Sequence, residues 1–252
     1  MLRASLLLIV QISILAISVT TAPQSLSSEL PQSMLAQPSE QNFAKAWWIP
    51  RHQEKLAELK ARSEQIDLVF IGDSITHAWE DRGKREWAKY YGPRGGLNLG
   101  YGGDRTEHVL WRIEHGELQG ISPSLVVLLI GTNNTGHRQD PPEQTAMGIT
   151  EIVDQIHSRL PTANILLHAI MPRGKNNDDP LRKINNRVNQ LIRPLADRHY
   201  VQWLDLNYLF VGEDGILNEN IMSDLLHPNV YQYKRWAEAL EPIISSLMGP
   251  IR

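Results

Sequence analysis

The sequence predicts an α/β fold, a parallel sheet covered by helices on both faces. Three observations carry that expectation. Short continuous apolar runs recur along the chain, as in strands buried on both faces. Segments with apolar residues at helical spacing alternate with them. No repeat period appears, and one alternation of about 205 residues makes a single domain.

The first 22 residues read as a secretory signal peptide. Arg3 supplies positive charge, and residues 4–19 are apolar apart from Ser5, Gln11, Ser13 and Ser18. Thr20, Thr21 and Ala22 then precede Pro23. The run is shorter than the roughly 20 apolar residues of a spanning helix. A secreted or periplasmic protein is expected, with no stable membrane insertion once the leader is cut. An uncleaved N-terminal anchor is the alternative. Residues 23–45, rich in Ser, Gln and Pro, read as a linker or a loosely attached arm. Residues 46–252 make the expected domain.

Within it, residues 53–63 (QEKLAELKARS) space Leu56, Leu59 and Ala61 as a helix. Residues 67–71 (DLVFI) form a first strand ending at Gly72, and 96–99 (GLNL) a second that meets a glycine cluster. Residues 106–115 are a helix through Val109, Leu110 and Ile113. Residues 124–130 (SLVVLLI), the strongest strand, stop at Gly131. Residues 141–160 open on Pro141-Pro142 and continue as a long helix. A fourth strand over 165–170 closes at Met171-Pro172. A helix over 181–196, a fifth strand over 201–206 and a last helix over 231–247 complete the order.

Composition narrows the chemistry. The chain has no cysteine, which excludes disulfides, thiol nucleophiles and cysteine-held metal. A net charge of −3, with no block of five or six like charges, argues against a nucleic-acid partner. No His-x-x-x-His pair with an acid supports a metal site, and His52, His108, His115, His137, His157, His168 and His199 are scattered. No phosphate-binding Gly-x-x-x-x-Gly-Lys-Ser/Thr motif is present.

In a parallel sheet, ligands bind beyond the carboxyl ends of the strands. There the first three strands run into Gly72-Asp73-Ser74, Gly100-Tyr101-Gly102-Gly103-Asp104 and Gly131-Thr132-Asn133-Asn134. Ser74 is the candidate nucleophile, with a helix N-cap as its plainer role. Thr76 stands where an α/β-hydrolase elbow would have glycine. Asp224-Leu225-Leu226-His227 puts a carboxylate three residues before an imidazole, a spacing at which Asp224 can accept from Nδ1–H of His227 and leave Nε2 to face Ser74. The N–H groups of Ser74 and Gly103 and the side-chain amide of Asn133 are candidate oxyanion donors, although Gly103 and Asn133 also suit plain turns. Asp73 and Arg173 lie where substrate contact is expected, a surface salt bridge being the plainer role of Arg173. Asp178-Asp179 reads as a solvated loop, and Trp47-Trp48 as core or a docking anchor.

Phe70-Ile71-Gly72-Asp73-Ser74-Ile75-Thr76 resembles the first block of the GDSL (SGNH) esterase family. Gly103, Gly131-Thr132-Asn133-Asn134 and Asp224-Leu225-Leu226-His227 resemble its other blocks, in the expected order. The stretch 98–134, Pro172-Arg173-Gly174 and Asn189 closely resemble the platelet-activating-factor acetylhydrolase branch. The resemblance covers about residues 65–247. It implies a flavodoxin-like three-layer α/β/α sandwich on a five-stranded parallel sheet, and a cofactor-free serine esterase acting through Ser74, His227 and Asp224. Its substrate would be a small-molecule or polysaccharide acyl ester, either an acetylated carbohydrate or a phospholipid-like ester. A homodimer is left open, and a non-catalytic carbohydrate- or lipid-binding module on the same fold is the alternative. Ile75 departs from the family leucine within the same apolar role.

Overall fold

A computed structural model describes residues 29–251. The leader expected over 1–22 lies outside the described residues. The elements run α1 (Trp48–Arg62), β1 (Leu68–Gly72), α2 (Ser74–His77), α3 (Lys84–Glu86), β2 (Gly96–Gly100), α4 (Thr106–Glu114), β3 (Leu125–Leu129), α5 (Pro142–Arg159), β4 (Asn164–His168), α6 (Pro180–Ile192), β5 (Val201–Leu204) and α7 (Val230–Met248). All neighbouring strands are parallel, in the order β2-β1-β3-β4-β5. This is the doubly wound order in which ligand sites gather at the carboxyl edge.

The period of two along each strand sorts the core into two layers. Val69 and Ile71 of β1 join Val126 and Leu128 of β3 and the apolar faces of α4, α5 and α6. Leu68 and Phe70 point the other way, into a cluster with Leu125, Val127, Trp79, Tyr91 and the α7 side chains Trp236, Leu240 and Ile244. Both faces are therefore covered, and each fully buried Leu, Ile or Phe contributes about 1.5–3 kcal/mol. The expected three-layer sandwich is the fold observed.

Three stretches differ from the sequence expectation. Helix α1 begins five residues early, at Trp48, because Pro50 sits in its first turn, where the missing N–H costs nothing. Residues 84–91, for which periodicity suggested no element, form α3 and a wide helical turn over Trp87–Tyr91. The stretch 29–45, expected as a linker or loosely attached arm, is packed onto the domain. Ser33 and Ala44 are buried, Ser33 Oγ donates to the Gln144 carbonyl, and Thr106 Oγ1 donates to the Ser33 carbonyl. Among the described residues no helix is long and apolar enough to cross a membrane.

Candidate active site

The register aligns Gly72 of β1 with Gly100 of β2 and Leu129 of β3, so the three turns that follow open on one edge. The first is tight. A Cβ on Gly72 would lie 2.3 Å from the Leu129 carbonyl oxygen and 2.2 Å from Thr76 Oγ1, so only glycine lets the chain turn here. Ser74 then opens the short helix α2. The cap of that helix is Asp73, not Ser74. Its Oδ1 accepts from Ile75 N–H at 2.9 Å, and the residue is only 1% exposed. Asp73, expected to touch substrate, is therefore a buried capping group. Burial lifts its carboxyl to about 7, against the lowering effect of the Ile75 hydrogen bond. Ser74 is left with its hydroxyl free of capping duty.

That hydroxyl lies 2.8 Å from His227 Nε2. His227 Nδ1 lies 2.6 Å from Asp224 Oδ2, while Asp224 Oδ1 accepts from the backbone N–H groups of His227 (2.8 Å) and Leu226 (3.1 Å). Burial acts to raise the Asp224 carboxyl, but the His227 ring and these N–H donors prevail and hold it below its ordinary value. The turn is drawn tight by Leu225, a non-glycine residue at φ 56°, a conformation that costs about 1–3 kcal/mol and persists only where its surroundings enforce it. Here the Leu225 carbonyl accepts from Gly174 N–H at 2.9 Å.

The second turn carries Gly103 at φ 79°, a left-handed conformation open to glycine. The third carries Asn133, whose Nδ2 donates to the Asp104 carbonyl at 3.0 Å. Asn133 thus fixes the Gly103–Asp104 loop. Arg173, in the loop after β4, turns toward this edge and donates to the Thr132 carbonyl at 2.7 Å. In place of a surface salt bridge, its charge lies near Asp73, Asp179 and Asp224.

The Ser74 turn, the Asp224–His227 pair and the loops carrying Gly103 and Asn133 thus meet at one edge. Residues 70–235 match the model of the GDSL-like lipase/acylhydrolase family. The chain belongs to that family. It is 37% identical over 202 residues to platelet-activating factor acetylhydrolase IB subunit alpha1 of Bos taurus, covering 80% of this chain and 84% of that one. It is 35% identical over 202 residues to the alpha2 subunit of Rattus norvegicus, covering 80% and 85%. Among solved structures it is similar to a GDSL-like lipase from Bacteroides thetaiotaomicron, with TM-score 0.64, 18% identity, and 77% and 97% of the two chains covered. It is also similar in fold to an acetylxylan esterase from Geobacillus stearothermophilus, with TM-score 0.56, 18% identity, and 69% and 92% covered. As a GDSL acylhydrolase the protein is a carboxylic ester hydrolase.

The GDSL blocks rest on residues that sequence reasoning passed over. Beneath the Gly103 loop lies a buried ionic network. Arg112 donates to Asp104 Oδ2 through Nε (2.9 Å) and to Glu117 through Nη1, with all three residues essentially unexposed. Trp48 Nε1 donates to Asp104 Oδ1 at 2.6 Å, and Tyr101 OH donates to Glu117 at 2.5 Å. Burial opposes the charge on Glu117, but the Arg112 charge and hydrogen bonds from His52 and Tyr101 hold its carboxyl below the ordinary range. One signal was available. Arg112 stands three residues after Val109, on the stripe that periodicity marks as buried.

Arg182 does the same for the histidine side. It is 1% exposed, and it donates to the carbonyls of Arg173 (2.7 Å), Gly215 (2.5 Å) and Gly174. It thereby sets the loop whose Gly174 N–H holds Leu225. Asp179, expected as solvated loop, caps the same helix by accepting from Leu181 and Arg182 N–H, while Asp178 is exposed. On the serine side, Tyr233 OH donates to the Ile75 carbonyl at 2.6 Å, so α7 clamps the turn. His77 accepts from Gly102 N–H through Nδ1 at 3.3 Å. Burial and the Arg51 charge hold it down at about 4, so it stays neutral and keeps that acceptor.

Proposed function

We propose that the protein hydrolyses short acyl esters, acetyl esters foremost, through Ser74, His227 and Asp224. The observation that carries this is the continuous relay from Ser74 Oγ to His227 Nε2 (2.8 Å) and from Nδ1 to Asp224 Oδ2 (2.6 Å). Ser74 Oγ attacks the ester carbonyl carbon as Nε2 takes its proton. Asp224, held ionised, keeps the Nδ1–H tautomer and stabilises the imidazolium. The N–H groups of Ser74 and Gly103 and the Asn133 amide face the oxyanion. Collapse of the tetrahedral adduct breaks the bond to the alkoxide, which leaves with the proton from Nε2. Water then attacks the acyl-serine, with Nε2 as base, releasing the acid and restoring Ser74.

Two named relatives support the acetyl preference, since one set is called acetylhydrolase and a fold neighbour is an acetylxylan esterase. The alcohol half is either an acetylated sugar or a phospholipid-like backbone. The leader-like residues 1–22 support export. The Ser74→Ala variant tests the mechanism with p-nitrophenyl acetate as substrate. Turnover should drop by at least about 10³-fold with the fold intact. Turnover near wild type would refute the assignment.

A further inference from the structure

The packed arm reaches the site itself. Gln41 Nε2 donates to the Gly103 carbonyl at 2.9 Å. The Phe43 ring lies directly on Gly103, where an added Cβ would be 2.3 Å from Phe43 Cζ. The main chain that carries the ring is held in place, because Trp47 Nε1 donates to the Phe43 carbonyl at 2.9 Å and the neighbouring Ala44 is buried. Yet Phe43 itself is 57% exposed, an aromatic side chain fixed at its base with a free surface beside the oxyanion loop. His137, from the turn after β3, faces it edge-on with ring centroids 6.4 Å apart.

Topology says which part of the ester this ring meets. His227 approaches Ser74 from the β4 side, tied there through Leu225 and Gly174. Gly103 and Phe43 lie instead against the turn after β3, since Asn133 donates to the Asp104 carbonyl and His137 faces the Phe43 ring. The departing alcohol must take its proton from His227 Nε2 and the oxyanion turns to the Gly103 and Asn133 donors, so the acyl group takes the remaining open side, beside the loop that the Phe43 ring overhangs. We propose that Phe43, which precedes the family-matched residues 70–235, is a specificity-determining residue. Its ring closes the acyl side of the site over Gly103 and restricts the enzyme to short acyl groups. This inference rests on the Ser74–His227 reading.

The test uses the full chain with p-nitrophenyl acetate, butyrate and octanoate. The readout is the ratio of kcat/KM for each longer ester to that for acetate. Phe43→Ala should raise the octanoate-to-acetate ratio by about tenfold or more, the scale on which pocket size discriminates alkyl groups. Phe43→Trp, which enlarges the ring, should lower it. Ratios within about twofold of wild type in both variants, or a fall in Phe43→Ala, overturn the proposal. Labelling of Ser74 by a fluorophosphonate separates the two readings. Unchanged ratios with Ser74 still labelled count against Phe43 alone. A wild-type chain that takes no label at Ser74 removes the reading beneath it, and the proposal with it.

Discussion

Replacing Trp48 by Phe probes how the loop carrying Gly103 is held. The indole is 1% exposed, and its N–H reaches Asp104 Oδ1 at 2.6 Å. Asp104 Oδ2 already belongs to Arg112, and the other polar neighbour of Oδ1, His108 Nδ1, stands 3.5 Å away, too far for a good hydrogen bond. Phenylalanine keeps an aromatic ring among Tyr101 and Trp111 but leaves Oδ1 without its donor. Loss of a hydrogen bond to a charged group costs about 1.5–3 kcal/mol. For a domain of this size that lowers Tm by about 3–12 °C. The Asp104 carbonyl also anchors the Asn133 amide at 3.0 Å, so the loop carrying Gly103 should lose alignment. We expect kcat on p-nitrophenyl acetate to fall about tenfold, equivalent to about 1.4 kcal/mol of transition-state stabilisation. Thermal unfolding by circular dichroism and steady-state kinetics read both effects. A Tm within about 1 °C of wild type together with unchanged kcat would show that the network neither stabilises the domain nor positions the loop.

Two further substitutions separate roles within the site. Asn133→Ala should lower kcat by roughly 10²–10³ with a smaller change in KM, as removal of one oxyanion donor does; an unchanged kcat would leave the Asn133 amide with only its bond to Asp104. Asp73→Asn keeps the capping oxygen but removes a carboxyl whose folded value is raised from 3.8 to about 7. Between those values the folded state holds a proton that the unfolded chain has lost, so wild-type stability falls as pH rises through the window. The variant does not titrate there, and its stability relative to wild type should improve by about 4 kcal/mol between pH 4 and pH 8. Urea denaturation at the two pH values measures this, and an equal difference at both would show that Asp73 ionises normally.

The sheet was legible because buried parallel strands must be continuously apolar, and residues 67–71 and 124–130 leave no other reading. The site was legible because its turns follow those strands directly. What escaped depends on tertiary packing. Trp48, Arg112 and Glu117 are 64 and 69 positions apart at their widest reach from α1 to the loop after α4, measured along the chain from Trp48, and nothing local marks them as partners. The same holds for Arg182, a cation satisfied by three carbonyls and no acid. Asp73 and Ser74 are both good caps, and sequence cannot say which one turns inward. The polar composition of residues 29–45 suggested a loose arm, whereas a few small or amide side chains, Ser33, Gln41 and Ala44, suffice to seat it.

Ser74 should act as the nucleophile that His227 activates. The most direct measurement is mass spectrometry of the protein after reaction with a fluorophosphonate at neutral pH. One adduct per chain is expected, carried on the peptide containing Ser74 and lost in His227→Ala. An adduct on another residue, or labelling that does not depend on His227, would contradict it.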